Sequence, residues 1–274
     1  MNYILHYSGP FPIYGNETIS QIKNIDNAST IYFCGTQNIG VENFNSLNEL
    51  EDEKINIIKN LNYYSKDNNP LWINALLRIF YIFNLAKKEN LDEFVHFDLD
   101  VLIYKPFKEL KHLFEENKFN ITPGNESNII FGYSYINNLS ILENICNEIE
   151  IIFNNIDSYE KSFYNHKTLN EMEILNIVFL KNPNLFNLLK TTINDSKILF
   201  DANSFGQYLG GIPAKRFSKK YLNLSHYSGR HMVLKGYRPK FKNNKPIIIY
   251  ENEIYELANL HIHSKKLHKF VINN

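Results

Sequence analysis

Two cysteines in 274 residues are too few for a disulfide framework, and both, Cys34 and Cys146, lie in apolar stretches (IYFCGT and LENICNEI). Buried, reduced thiols in an intracellular protein are the expectation. No run approaches the ~18 consecutive apolar residues that cross a bilayer. No basic leader with a small-residue cleavage site precedes the first strand-like segment, so a soluble, cytoplasmic chain without a transmembrane segment is expected. Gly/Ser-rich linkers and internal repeats are missing. So are a GxSxG nucleophile elbow, the glycine-rich phosphate loops, HExxH and paired CxxC, and with them the chemistries those patterns serve. Aromatics make up 14% of the chain but form no interleaved basic–aromatic platform, and the formal net charge is zero. A nucleic-acid partner is therefore not expected.

What the sequence does contain is ordinary globular material. Hydrophobic residues at 44% and charged residues at 21% suffice for a full core. Charge is divided unevenly along the chain. The first 200 residues carry 16 Lys plus Arg against 25 Asp plus Glu, and residues 201–274 carry 13 against 4. Two readings fit: solvated faces that cancel, or a cationic last third that meets an anionic ligand such as a diphosphate.

Tyr3–Tyr7 (YILHY) reads as a short strand stopped by the Ser8-Gly9-Pro10 turn. Thr18–Ile25 reads as a helix and Thr30–Cys34 as a second strand, an alternation that predicts a parallel, nucleotide-binding sheet. Further helices are expected over Glu49–Leu61, Leu71–Asn90, Ser140–Phe153 and Asn170–Phe179. In the second of these, Leu71, Ala75, Ile79, Ile82 and Leu85 recur with helical period. Strands are expected at Phe94–Phe97, continuing extended over Val101–Tyr104, and at Ile129–Tyr135, Lys245–Tyr250 and Ile254–His263. One domain over 1–274, with both halves of the chain building one sheet, accounts for this pattern.

Asp98-Leu99-Asp100 is the chemical centre. Two carboxylates at i and i+2 on a strand point the same way and can face one hard cation, Mn²⁺ or Mg²⁺. The pair follows the apolar run Phe94-Val95-His96-Phe97, at the carboxyl end of a strand, where open α/β sheets bind ligands.

The run LWINALLRIFYIFNLAKKENLDEFVHFDLDVLIYKPF, residues 71–107, resembles the core of GT-A glycosyltransferases carrying the DXD motif. The resemblance implies a GT-A α/β fold, a single Rossmann-like domain whose mixed, mainly parallel sheet is flanked by helices. Residues 1–107 would be the nucleotide-sugar half, and 108–274 the acceptor side with a C-terminal metal and diphosphate element. It assigns Arg78 to the donor's nucleotide or diphosphate, or to orienting the aspartates, and Asp98 to the donor. Asn259-Leu260-His261-Ile262-His263-Ser264-Lys265 is similar to the C-terminal element that completes the metal and diphosphate site in such enzymes. His261 and His263 share one face of the expected strand, imidazole is a good Mn²⁺ ligand, and Lys265 offers a point charge to a phosphate. Which histidine ligates stays open. Phe200-Asp201-Ala202-Asn203-Ser204-Phe205-Gly206-Gln207-Tyr208-Leu209-Gly210-Gly211 is similar to a stretch in transferases of bacterial and viral surface glycans. Gly210 and Gly211 would let backbone approach a sugar, and Asp201 and Gln207 would bond its hydroxyls.

These features imply a metal-dependent transferase moving a sugar from a nucleotide-diphosphate donor to a glycan or other hydroxyl acceptor. A uridine diphosphate sugar is expected from the resemblance, with Tyr7 and Ser8 beside a flat base. Asp201 is the first candidate base and Glu173 the second, while Glu171 is a candidate sugar ligand. The rival readings are a sugar nucleotidyltransferase, for which no triphosphate loop is seen, and a non-catalytic nucleotide-sugar-binding protein.

Overall fold

A computed structural model describes residues 1–61, 63, 70–164, 168–193, 196–207, 209–210 and 237–272. The chain opens with strand β1 (Asn2–Tyr7), helix α1 (Gly15–Ile25), β2 (Thr30–Gly35) and β3 (Asn43–Ser46). Helices α2 (Glu53–Asn60) and α3 (Pro70–Lys88) precede β4 (Phe94–Phe97), β5 (Val101–Ile103) and the short α4 (Phe107–Leu110). A hairpin of β6 (Phe119–Asn125) and β7 (Asn128–Ile136) leads to α5 (Leu139–Asn154), α6 (Ile156–Tyr164) and α7 (Glu171–Lys181). The strands β8 (Phe186–Leu188), β9 (Ile198–Leu199), β10 (Lys240–Lys242), β11 (Lys245–Tyr250), β12 (Glu253–Leu257) and β13 (Asn259–His261) complete the described elements.

Seven strands form a mixed sheet in the order β3-β2-β1-β4-β7-β6-β8. β3, β2, β1 and β4 are mutually parallel, β7 runs against β4 and β6, and β8 is parallel to β6. This is the expected mainly parallel α/β sheet, but the chain does not build one sheet. β10-β11-β12-β9 form a second, and β13 pairs with β5 in a third. The helix α3 shows why the main sheet is stable. Leu76, Ile79, Phe80, Ile82 and Leu85 are buried against Ile4, Phe94 and Phe131. Each such side chain is worth about 1.5–3 kcal/mol when taken from water. The helix ends where Asn90 takes a left-handed conformation (φ 54°), with Leu91 N–H donating to Ala86 O at 2.8 Å.

Two expected elements are divided. Glu49–Leu61 becomes a 3₁₀ turn at Leu47–Leu50 and then α2, whose start is set by Asp52 accepting from Ile55 N–H at 2.9 Å. Ile254–His263 splits into β12 and β13 because the two pieces pair in different sheets, and His263 lies beyond β13.

Candidate metal and diphosphate site

The aspartates do not sit on a strand. Asp98 and Asp100 flank a turn between β4 and β5, closed by Val101 N–H donating to Asp98 O at 2.9 Å. The turn has a cause: β4 ends inside the seven-stranded sheet, whereas β5 leaves it to pair antiparallel with β13. Both carboxylates still face the His261 ring, but by turn geometry and not by strand alternation. Thr18 Oγ1 fixes the turn from α1 by donating to Leu99 O at 2.6 Å, and Asp98 N–H donates to Gly132 O at 3.2 Å.

The pairing of β5 with β13 brings residues 160 positions apart in sequence together. Ile262 N–H donates to Asp100 O at 2.8 Å, and the His261 ring faces the aspartates. His261 Nε2 lies 3.2 Å from Asp100 Oδ1 and 3.8 Å from Asp98 Oδ2. Its other nitrogen, Nδ1, is 2.6 Å from the Ala202 carbonyl, which accepts and so requires Nδ1–H. That leaves Nε2 facing the two carboxylates, where it ligates a cation held between them or, when protonated, donates to Asp100. The ligand atoms of Asp100, His261 and His263 all lie within 4.8 Å of one another. A spacing of 3.2 Å matches the edge, about 3 Å, of an octahedron with bonds near 2.1 Å. Oxygen plus imidazole is a donor set suited to a divalent cation. The residues fit such an ion.

Cations flank this point on both sides. Arg78 pairs with Asp98 through Nη1 and with Glu171 through Nη2 at 3.2 Å, its guanidinium 5.3 Å from the centre of the Phe131 ring. Lys265 pairs with Asp100. Burial works to raise the Asp100 pKa, but His261 and Lys265 beside it hold it well below the usual carboxylate range. Burial works to lower that of His261, and Asp100 overrides it, so the imidazole is raised above its ordinary value. Lys265 adopts φ 60°, in a turn held by Lys265 N–H donating to Ile262 O and Ser264 Oγ donating to Leu209 O.

Asp201 has a task other than the expected one. Its carboxylate is buried and accepts four backbone N–H bonds, from Ser204 (2.7 Å), Phe205 (2.9 Å), Gly206 (2.7 Å) and His261 (2.9 Å). Asn259 locks the same loop by a reciprocal pair of bonds to the Asp201 backbone. Every lone-pair direction suited to an acceptor proton is thus engaged, and Asp201 anchors β13 instead of standing free as a base. Glu173 is likewise engaged: it closes a capping box with Asn170 at the start of α7, and is buried. Glu171, assigned to a sugar, is the buried partner of Arg78, and burial raises its pKa against the pull of that guanidinium.

The remaining expected residues are distributed as follows. Tyr7 ends β1 and Ser8 follows it, Tyr7 hydrogen-bonded to Tyr14 and Ser8 Oγ 3.4 Å from His6 Nε2. Gln207 is buried near the site loop, and its Oε1 finds no partner among the described residues. Gly210 is left-handed (φ 77°), and a Cβ there would meet Ser264 Oγ at 2.6 Å, so its glycine is required by the packing of the Lys265 turn. Gly211 lies outside the described residues.

Three further residues shape the site without having been assigned a role from the sequence. Tyr14 lies 5.5 Å beneath the Lys265 ammonium, and burial followed by the Asp100 charge raises its pKa. A Cβ on Gly206 would meet His261 O at 2.4 Å, and one on Gly132 would meet His261 Nδ1 at 3.2 Å. These two glycines admit the His261 strand and ring. Gly206 was visible within the FD…GQYLGG stretch; Gly132 had no signal beyond its place in a β run.

No family model matches the chain, and no curated protein matches it. Solved structures similar to it include glycosyltransferases. Apo mouse xyloside xylosyltransferase 1 is 10% identical, with a TM-score of 0.46, over 69% of this chain and 86% of that one. The galactosyltransferase LgtC, in complex with donor and acceptor sugar analogs, is 10% identical with a TM-score of 0.46 over 96% and 87%. The apo glycosyltransferase GlyE of Streptococcus pneumoniae TIGR4 is 13% identical with a TM-score of 0.40, over 69% of this chain and 44% of that one. No helix among the described residues is long and apolar enough to cross a membrane.

Proposed function

We propose that the chain is a metal-dependent glycosyltransferase that uses a nucleotide-diphosphate sugar, a uridine diphosphate sugar first among the candidates, and a glycan or other hydroxyl acceptor. One observation carries the reading: the tautomer of His261 set by Ala202 O, which aims Nε2 at Asp98 and Asp100. Asp100, His261 and His263 would hold Mn²⁺ or Mg²⁺, with Asp98, 3.8 Å from His261 Nε2, beside them. When bound, such an ion supplies Lewis-acid stabilisation of the diphosphate leaving group.

The chain's own residues supply the rest. Lys265, with half of its side chain in solvent, reaches a phosphate oxygen by swinging from Asp100. Arg78 adds fixed positive charge while Glu171 and the Phe131 face hold its guanidinium. The loop after β1, tied to the loop after β2 by Gly9 N–H donating to Thr36 Oγ1 at 3.0 Å, receives the base beside Tyr7, Ser8 and Tyr14. The buried amide oxygen of Gln207 is suited to accept from a sugar hydroxyl. With Asp201 and Glu173 both engaged, neither acts as a base in this arrangement.

The test is release of nucleotide diphosphate from a set of uridine, guanosine and cytidine diphosphate sugars, with Mn²⁺ and with chelator. Mn²⁺-dependent release from one donor, lost in Asp100→Asn, is the expected result. Equal release in chelator, or by the variant, would refute the metal role.

A further inference from the structure

A cleft of about 250 Å³ opens at the edge of the main sheet, between the β6–β7 hairpin, α7 and the chain leaving β8. It lies on the same side as the metal and diphosphate site. β7 runs antiparallel to β4, and Gly132 O accepts from Asp98 N–H. Residues that precede Gly132 therefore extend beyond the carboxyl end of β4, and Ile129, which lines the cleft, stands about 10 Å along the strand from that bond. Asn176, also in the lining, is about 7.5 Å along α7 from Glu171, the partner of Arg78. Tyr164 of α6 ties the hairpin tip down by donating to Ser127 O at 3.0 Å, and Asn176 Nδ2 lies 3.5 Å from the same phenol oxygen.

The lining has two kinds of group. Phe179, Ile129 and Leu188 give apolar surface, while Asn176, Glu126 and Lys190 give hydrogen-bonding groups of opposite and cancelling charge. Thr191 adds a buried hydroxyl that has no hydrogen-bond partner among the described residues. An unpartnered buried hydroxyl costs stability unless something bonds to it. Apolar walls with a few placed polar groups and no net charge suit a neutral sugar ring, whose C–H face packs on the walls while its hydroxyls reach the polar groups.

We infer that this cleft binds a neutral hexose unit of the acceptor glycan, one residue removed from the unit that receives the transferred sugar. The inference rests on the transferase reading for the word acceptor, but the binding itself needs neither donor nor metal.

The experiment uses the full chain on an immobilised array of defined mono- to tetrasaccharides, without donor or metal, followed by titration of the best-retained glycan. The expected result is retention of at least one oligosaccharide, with its terminal monosaccharide at least tenfold weaker. Glu126→Ala and Lys190→Ala, both at exposed positions that leave the core untouched, should each weaken it about fivefold or more. Asn176→Leu should do so more strongly, and Asp100→Asn should bind as wild type. Retention of no oligosaccharide, or retention unchanged by Glu126→Ala and Lys190→Ala, overturns the inference. Failure of the transferase reading appears separately, as absence of Mn²⁺-dependent nucleotide release by a protein that still binds the glycan through these residues.

Discussion

At the scale of single residues, the site is a set of charges that hold one another in place. Arg78 is the clearest case, because Asp98 and the buried Glu171 both depend on it. Arg78→Leu should cost about 3–5 kcal/mol, since it strands two carboxylates of which one is buried. Arg78→Lys should recover part of this by keeping the charge while losing the fork that reaches two partners. Urea unfolding of the two variants tests the ordering. If the leucine variant is as stable as wild type, the triad is not a structural unit. Asp201 makes the opposite kind of prediction from a general base. Asp201→Asn removes a charged acceptor from four N–H bonds and should destabilise by about 2–3 kcal/mol. A variant with wild-type stability and no transfer activity would restore Asp201 to catalysis.

At the scale of elements, what was legible depended on whether the determining contact was local. α3, β1, β2, β4 and α5 were readable because a helical or apolar run carries its own periodic signal. β6 was not, because Pro123-Gly124 inside it reads as a turn; the bulges there accommodate both residues. The Asp98–Asp100 pair, Arg78 and His261 were identifiable as candidates, yet their geometry was misjudged. The turn between β4 and β5 exists because of β13, which lies far away in sequence and leaves no local mark on residues 98–100. The same is true of Asp201 and Glu173: a carboxylate that caps backbone N–H groups looks in sequence like one waiting for a proton. Gly206 tests the element-level account. Its missing Cβ leaves 2.4 Å to His261 O, so Gly206→Ala must displace β13. Calorimetry should show Mn²⁺ affinity lowered at least tenfold although no ligand is altered, whereas unchanged affinity would mean that the loop after Asp201 does not set the His261 position.

At the scale of the whole molecule, stability depends on histidines kept neutral under the sheet's ligand side. Burial, and then the Arg78 charge, lower the pKa of His6 to about 3 and push that of His96 well down. A group depressed in the folded state contributes stability above its unfolded pKa, near 6.5, and that contribution is lost as pH falls toward the folded value. His6 alone should therefore remove roughly 2 kcal/mol between pH 7 and pH 5. His261, raised in the fold, acts with the opposite sign: its contribution is full below the unfolded value and fades as pH climbs through the folded one. Comparing wild type with His6→Asn separates the two, and the variant should show the shallower loss on acidification by urea midpoint. Equal slopes would mean that His6 is not held neutral.

The claim on which the rest depends is that Asp100, His261 and His263, with Asp98 beside them, form a divalent-cation site serving a diphosphate. Calorimetric titration of Mn²⁺ into wild type and Asp100→Asn, with and without uridine diphosphate, tests it most directly. The account predicts that Mn²⁺ binds wild type, that the nucleotide tightens this binding, and that Asp100→Asn loses both effects while keeping the wild-type fold by circular dichroism. Mn²⁺ binding of equal strength in Asp100→Asn, or nucleotide binding indifferent to Mn²⁺, would contradict it.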